Sequence, residues 1–321
     1  MPATGAELGY NTSASALAMA NAIFGSGVTV TGASYSGDNR SSAIYSNGDA
    51  LSPDATPGDT GVILSTGRAD RFTQSNGDPN RVTNTSTNTS GVNNDSDFNA
   101  AAGANTYDAS FLEVDFTSPT AGFMTMQFVF ASEEYPEYVN SLFQDMVGVW
   151  INGSQVNLTV GNGDADPGNL NASDNSNLFI NNTSDDYNTE MDGFTVTMTM
   201  TIPINSGTNS IKIGVADVAD SSYDSNLLIA ADSIQSALLA NDDSANINPT
   251  GSKTINVLAN DTNTTGGTLT VTHINGQSVV VGSIITLGTG QTVELNADGT
   301  LTVVGDGDVE DVNFTYAIES S

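Results

Sequence analysis

The sequence predicts an all-β protein: a jelly-roll-like β-sandwich with one short N-terminal helix, followed by a smaller immunoglobulin-like sandwich. Apolar residues recur with period two along most of the chain, which is strand spacing rather than helix spacing. Asn, Asp, Ser and Gly, the residues that turns select, fill the intervals between these runs. The length of 321 residues exceeds what one hydrophobic core commonly serves, about 100 to 200 residues. Two units are therefore expected, residues 1–238 and 239–321.

Only one segment reads as a helix. Thr12 or Ser13 is placed to cap it, Leu17, Ala20, Ile23 and Phe24 fall near one face of residues 14–24, and Gly25 closes it. Strand signals follow at Val28 and Val30, at residues 62–64, and at Phe111, Val114 and Phe116. Residues 122–131 give the strongest one, since Phe123, Met124, Met126, Phe128, Val129 and Phe130 are too apolar for a strand with one wet face. Further strands are expected at 146–151, 155–160, 194–204, 210–216 and 227–234. Trp150, inside an apolar run, reads as core. Residues 76–105, and above all 84–95 with almost no apolar side chain, read as a surface excursion.

Composition shifts at 236–249, where Leu238 and Leu239 give way to Asn241, Asp242 and Asp243. Short strands are then expected at 254–258, 268–273, 277–287, 291–295, 301–304 and 313–318, with turns such as Asn275-Gly276 and Asp298-Gly299 between them.

Charge narrows the function. Lys and Arg number 6 against 37 Asp and Glu, a formal net charge of -31. Such a field repels nucleic acid, whose binding needs clustered cations. It also strains a compact state by self-repulsion unless cations offset it. With no cysteine, neither disulfides nor thiolate metal sites exist, so any staple must be of another kind. Calcium is the expected cofactor. No run approaches the roughly 18 apolar residues of a membrane span, so no membrane insertion is expected, and no basic segment with an apolar core opens the chain.

Several segments resemble known families. FVFASEEYPEYVNSLF at residues 128–143, the QDMVGVWING that follows it, GVADVADSSYDSNLLI at 214–229 and LGYNTSASALAMANAIFGSGVTVTGASYSGD at 8–38 resemble the choice-of-anchor L domain of secreted bacterial proteins, over about residues 6–234. The resemblance implies an extracellular β-sandwich. NDDSANINPTGSKTINVLANDTNTTGGTLTVT and LNADGTLTV resemble cadherin-like or bacterial Ig-like repeats of RTX-type adhesins. It further implies a chain that continues as a longer protein, exported by type I secretion to the cell surface, although no glycine-rich RTX repeat is present.

The residues able to carry chemistry are mostly acids. Glu133 and Glu134 end the strongest strand and, as neighbours, point to opposite faces, so only one of them faces any given site, which weakens an acid/base pair and permits a single metal ligand. Calcium takes roughly six to eight oxygens from carboxylates, amides, carbonyls and water, in irregular geometry. Asp217, Asp220 and Asp224 are spaced for a turn to bring them around one ion, with Asn226 adding an oxygen; the competing reading is aspartates capping their own turns. Asp164, Asp166, Asn169, Asn171 and Asp174 form a second cluster, which lacks the EF-hand glycine and terminal glutamate. Asp145 is placed to complete a site with Glu133 or Glu134. Asp242, Asp243 and Asp261 resemble the positions where cadherin-like repeats hold calcium, the alternative being a solvated linker. Tyr135, Tyr138, Tyr187 and Tyr223 lie beside acidic loops, where aromatic faces stack on sugar rings.

His273 is the sole histidine, which argues against a Ser-His-Asp triad or a histidine zinc site in the first unit. The reading is therefore a secreted, non-enzymatic surface or matrix protein stiffened by calcium. Two alternatives stand beside it: an adhesin tip that binds polysaccharide, and a subunit that assembles with copies of itself into a layer or filament. A polysaccharide-degrading enzyme is the least favoured, since it needs only two carboxylates but no catalytic motif surrounds any.

Overall fold

The computed structural model describes residues 3–320 except 83, 237 and 264–266. The first unit is two antiparallel sheets packed face to face. The eight-stranded sheet runs in the order Gly9–Asn11, Ser42–Ser46, Thr60–Ser65, Ser225–Ala230, Gly122–Ser132, Gly193–Thr195 and Phe179–Asn181, with Met198–Ile204 also on Gly122–Ser132. The five-stranded sheet runs Thr29–Ser36, Thr106–Ser118, Gly207–Val218, Met146–Ile151 and Ser154–Gln155.

Alternation along Gly122–Ser132 explains its composition. Met124, Met126, Phe128 and Phe130 face the five-stranded sheet and pack with Leu112, Val114, Val149, Ile213 and Val215. Val129 and Ala131 face the other way, into a second cluster with Ile63, Phe72, Phe194 and Leu228. The strand is covered on both faces as expected, apart from Phe123 at its start, which is 51% exposed. Its partner at residues 194–204 is interrupted, because Phe194 opposes Ala131 while Met198 opposes Phe128. One strand spends an extra residue over that interval, and the ladder breaks there as at a bulge. The expected strand at 155–160 shrinks to Ser154–Gln155.

The N-terminal helix, Ala16–Ile23, is capped by Ser15 rather than Thr12 or Ser13. The Ser15 side chain accepts the Ala18 N–H, while Asn11 Oδ1 holds the Ser13 N–H and hydroxyl in the preceding turn. Gly25 follows the helix because the Asp232 carbonyl oxygen lies 2.3 Å from where a Cβ would sit. A second helix, Ser96–Ala102, lies within the stretch read as an excursion. Asp95 caps it and Phe98 is buried, edge-on to Trp150 at 4.8 Å. Trp150 is core, as expected. Above these rings sits Lys212, bonded to Asp95 at 2.6 Å and Asp97 at 2.8 Å.

In the second unit, Ser252–Ile255, Leu301–Val304, Thr292–Leu295 and Ile284–Thr286 form one sheet, and Gln277–Ser278, Leu269–Ile274 and Tyr316–Ser320 another. Val257, Val271, Ile274, Val293, Leu295, Leu301 and Ile318 fill the core between them. The run at 277–287 is broken by a turn in which Gly282 takes φ 86° and Ser283 N–H donates to Val280 O.

Phe128→Ala is expected to destabilise the first unit by about 3–5 kcal/mol, the usual cost of a buried Phe→Ala cavity. Phe123→Ala is expected to change stability by no more than about 0.5 kcal/mol, as surface substitutions do. Urea midpoints of the two variants check the assignment of faces.

Candidate functional site

In an antiparallel sandwich, the end of one strand and the start of the next lie at the same edge. This topology gathers acids that the sequence disperses. Glu133 and Glu134 follow Gly122–Ser132, Asp145 precedes Met146–Ile151, Asp217 falls at the end of Gly207–Val218, and Asp224 precedes Ser225–Ala230. All of these are buried, none more than 4% exposed. Asp38 and Asp108, also buried, join them from Thr29–Ser36 and Thr106–Ser118.

Register decides who meets whom. Ser225 opposes Ser132, which places Asp224 opposite Glu133; Ala216 opposes Met146, which places Asp217 beside Asp145. Asp145 and Asp217 are close enough for the charge of the first to act on the carboxyl of the second. Asp145 also accepts from Ser225 Oγ at 2.7 Å and from the Val218 N–H at 3.1 Å. Glu133 and Glu134 lie in the turn that follows the strand, Glu133 toward Asp192 and Asp224, Glu134 toward Asp145 and Asp220.

Residues 84–93 lie across this end as a strap; Val92 pairs with Ala109 through the backbone, and over residues 85–90 carboxylates serve as acceptors. The Thr85 N–H donates to Glu133 Oε1 at 3.1 Å, the Thr87 N–H to Asp224 Oδ1 at 2.6 Å, and the Ser90 N–H to Asp38 Oδ2 at 2.9 Å. Just upstream, Glu190 accepts from the Arg81 and Val82 N–H groups. The stretch expected to be a surface excursion is thus tied to the interior through its backbone.

Oxygens remain over. Glu133 Oε2, Glu134 Oε2, Asp217 Oδ1, Asp224 Oδ2, Asn226 Oδ1 and Asn80 Oδ1 are buried with no hydrogen-bond partner. Among the described residues no Lys or Arg forms an ion pair with Glu133, Glu134, Asp145, Asp217 or Asp224. Burial therefore pushes these carboxyls up. Glu133 is raised to about 9 by desolvation and then by the charge of Asp192. Glu134, Asp145 and Asp217 are raised by desolvation, and Asp145 adds its charge to the last. Asp38 goes the other way, held well below the usual carboxylate range by the Arg40 guanidinium.

The arrangement differs from the expected cluster of Asp217, Asp220 and Asp224. Asp220 turns back to accept the Ser222 N–H in its own loop, while its two neighbours pair with acids from other strands. Among the described residues, no group of three or more His, Cys, Asp and Glu side chains is set to hold a metal ion. Any cation here would draw on amide and carbonyl oxygens as well.

The other candidates fare unequally. In the loop at 160–175, Asp166 accepts the Asn169 N–H, Asn171 accepts the Ser173 and Asp174 N–H groups, and Asn169 bridges Val160 and Asp164 carbonyls. Those side chains knit the loop's own turns. In the second unit Asp243 and Asp261 come together around the Tyr316 hydroxyl, which also lies within 3.1 Å of the Asn241 and Val257 carbonyl oxygens. Asp261 Oδ2 is buried without a partner. Asp242 is exposed, and its carbonyl accepts from Asn260. Tyr135 is core: it is fully buried and its hydroxyl donates to Leu170 O. Tyr138 and Tyr223 stack at 5.3 Å on the half-buried rim, and Tyr187 packs on Phe194.

Sequence reasoning missed Asn80, Glu190, Asp192, Asp38 and Asp108. Glu190 and Asp192 carried the signal already used for Glu133 and Glu134, acids abutting a buried apolar strand. A cleft of about 900 Å³ between the units is lined by Met198, Asp242, Asp308 and Phe314 among others, and none of the buried acids lines it.

A two-sheet sandwich whose acids are sealed at one end, followed by a small Ig-like unit, is a modular, surface-type architecture. The chain belongs to the choice-of-anchor L domain family, which matches residues 9–235, and a bacterial Ig domain matches residues 235–321. That pairing is the make-up of a cell-surface module. No curated protein is significantly similar to the chain. Among solved structures, a family 35 carbohydrate binding module from an environmental isolate is 20% identical, over 40% of this chain and 75% of that one, with a TM-score of 0.21. A likeness that distant carries no functional weight. Among the described residues no helix is long and apolar enough to cross a membrane.

The raised carboxyls give the metal-free protein a definite pH response. A group whose folded pKa lies above its unfolded value stabilises below the unfolded value and loses that stability as pH rises through the folded one. With Glu133 near 9 against an ordinary 4.5, melting temperature in EGTA is expected to fall between about pH 5 and 9. A profile that rises over this range would show that these acids are not buried as described.

Proposed function

We propose that the chain is an adhesive or structural module of a bacterial cell surface or matrix, stiffened outside the cell by calcium. The observation that carries this reading is the set of buried, unpartnered oxygens at the acidic end of the sandwich. An isolated buried carboxylate is expensive, and it is relieved by a proton or by a cation. The net charge of -31 leaves few basic side chains to serve. Extracellular calcium modules bind at about 10⁻⁴ to 10⁻³ M, so the ion would fill such sites outside the cell and leave them empty inside it. A structural role suits the acids better than catalysis, because they lie under the strap and already hold its N–H groups.

A thermal melt in EGTA, across a calcium titration, with magnesium as control, tests this directly. One site filled at ten times its Kd adds about 1.4 kcal/mol, or about 3–6 °C for a domain of this size. A rise of that order specific to calcium is expected. Equal melting temperatures in EGTA and saturating calcium would sink the reading.

A glycan-binding tip is the second reading, favoured by the rim where the Tyr138 ring lies tilted against Tyr223 and edge-on to Phe143, beside Leu142, which is 80% exposed. Affinity electrophoresis in acidic and neutral polysaccharides should then show retardation that Tyr138→Ala removes. Unretarded migration in all of them dismisses it.

A further inference from the structure

The outward face of the acidic end holds a row that ordinary sheet chemistry does not tolerate. Asn226 opposes Ser65 on one side and Ala131 on the other, so two residues along, on the same face, Gly67, Asp224 and Glu133 form a row. Gly193 opposes Ser132, which sets Asp192 next to Glu133 in the same row. Like charges directly opposite one another destabilise a sheet. Yet Asp224, Glu133 and Asp192 stand in line, two of them buried. The row is also built to keep its acids: a Cβ at Gly67 would lie 1.9 Å from Asp224 Oδ2.

Two amides complete the picture, and they are the independent clue. Asn226 is 1% exposed; its Nδ2 contacts Met191 Sδ at 3.0 Å while its Oδ1 is unpartnered. Asn80 is 5% exposed; its Nδ2 donates to Asp192 Oδ1 at 2.8 Å, and its Oδ1 is likewise unpartnered. A carboxylate without a partner can neutralise itself with a proton. An amide oxygen has no such recourse; with Asn226 two residues from Asp224 on the same face and Asn80 bonded to Asp192 beside Glu133, such unpartnered amide and carboxylate oxygens ask for a cation.

We infer that Glu133 Oε2, Asp224 Oδ2, Asn226 Oδ1 and Asn80 Oδ1 are the protein oxygens of a site for a calcium-sized divalent cation that fastens the strap to the sandwich. The site rests on the reading of the chain as calcium-stiffened and gives that reading an address. Two carboxylates with neutral amide oxygens suit calcium, which accepts mixed oxygen ligands in irregular geometry, better than magnesium, which demands a near-ideal octahedron. The strap follows from how the same carboxylates divide their oxygens. Glu133 offers Oε1 to the Thr85 N–H and Asp224 offers Oδ1 to the Thr87 N–H, each leaving its second oxygen for the ion. An ion that fixes the two carboxylates fixes the strap with them.

Trypsin reads the strap. Arg81 is exposed just upstream of it, and basic residues are few enough for its cleavage to be followed by mass spectrometry. For the full chain, calcium is expected to slow cleavage after Arg81 by roughly tenfold or more, since proteolysis tracks the open population. Asn226→Ala and Asn80→Ala should each remove most of that protection. Asp261→Asn, in the second unit, should leave it intact. If Asn226→Ala does not fold in EGTA, Asn80→Ala carries the comparison. Should calcium raise the wild-type melting temperature while Arg81 is cut equally fast with and without it, this site is wrong and the calcium reading stands. Protection of both asparagine variants at the wild-type level overturns the site in the same way. A wild-type melting temperature that ignores calcium overturns both.

Discussion

One comparison within the molecule shows what its acidic end depends on. Asp38 and Asp217 are both buried carboxylates at the same end of the sandwich. Asp38 has a guanidinium against it, 2.9 Å from Arg40 Nε, and its acidity is strengthened. Asp217 has another carboxyl, and its acidity is weakened. The sign of the effect is set by whether a positive charge is present, not by burial alone. With 6 Lys and Arg in the chain, and Lys212 already committed to Asp95 and Asp97, among the described residues Glu133, Glu134, Asp145, Asp217 and Asp224 have no ion-pair partner to do for them what Arg40 does for Asp38.

The strap exists on the same terms. Residues 84–93 have almost no apolar side chain to hold them down, and a buried backbone N–H left unpaired is costly. Glu133, Asp224 and Asp38 supply the acceptors. A charged acceptor makes the stronger hydrogen bond, so the strap is held best when those acids are ionised. Ionisation is what burial resists. Only a counter-charge satisfies both demands, and this conflict, rather than any count of acidic residues, is the case for a bound cation.

The layout of strands was legible because burial on both faces leaves an unambiguous mark, as at Phe128, Val129 and Phe130. The helix was found but its cap misplaced, because Asn11, Ser13 and Ser15 all carry capping side chains and only three-dimensional context chooses among them. Ser96–Ala102 was hidden in a polar stretch, where Phe98 is its one buried side chain and Ala100, Ala101 and Ala102 were the remaining apolar signal. The site was half legible. Glu133, Glu134, Asp145, Asp217 and Asp224 were singled out from local motifs, but their pairings depend on register between strands far apart in sequence. Asp220 looked like the natural partner of its neighbours, and local spacing misled because a tight turn consumes its own aspartate.

The second unit repeats the chemistry on a smaller scale. Tyr316 has one hydroxyl hydrogen to offer among oxygens of Asn241, Asp243, Val257 and Asp261, and while the Asn241 N–H serves Asp261 Oδ1, Asp261 Oδ2 is buried without a partner. A protein could have filled both places with arginine and been stable everywhere. Leaving the counter-charge to an ion from the medium, as proposed here, would make stability conditional on where the chain is. For the calcium-stiffened surface module proposed above, that condition would be useful: the acids would repel one another where the ion is scarce, and the same acids would draw strap and sandwich together where it is abundant. The acid pairs at the sandwich end would then mark the place where export and folding are kept apart.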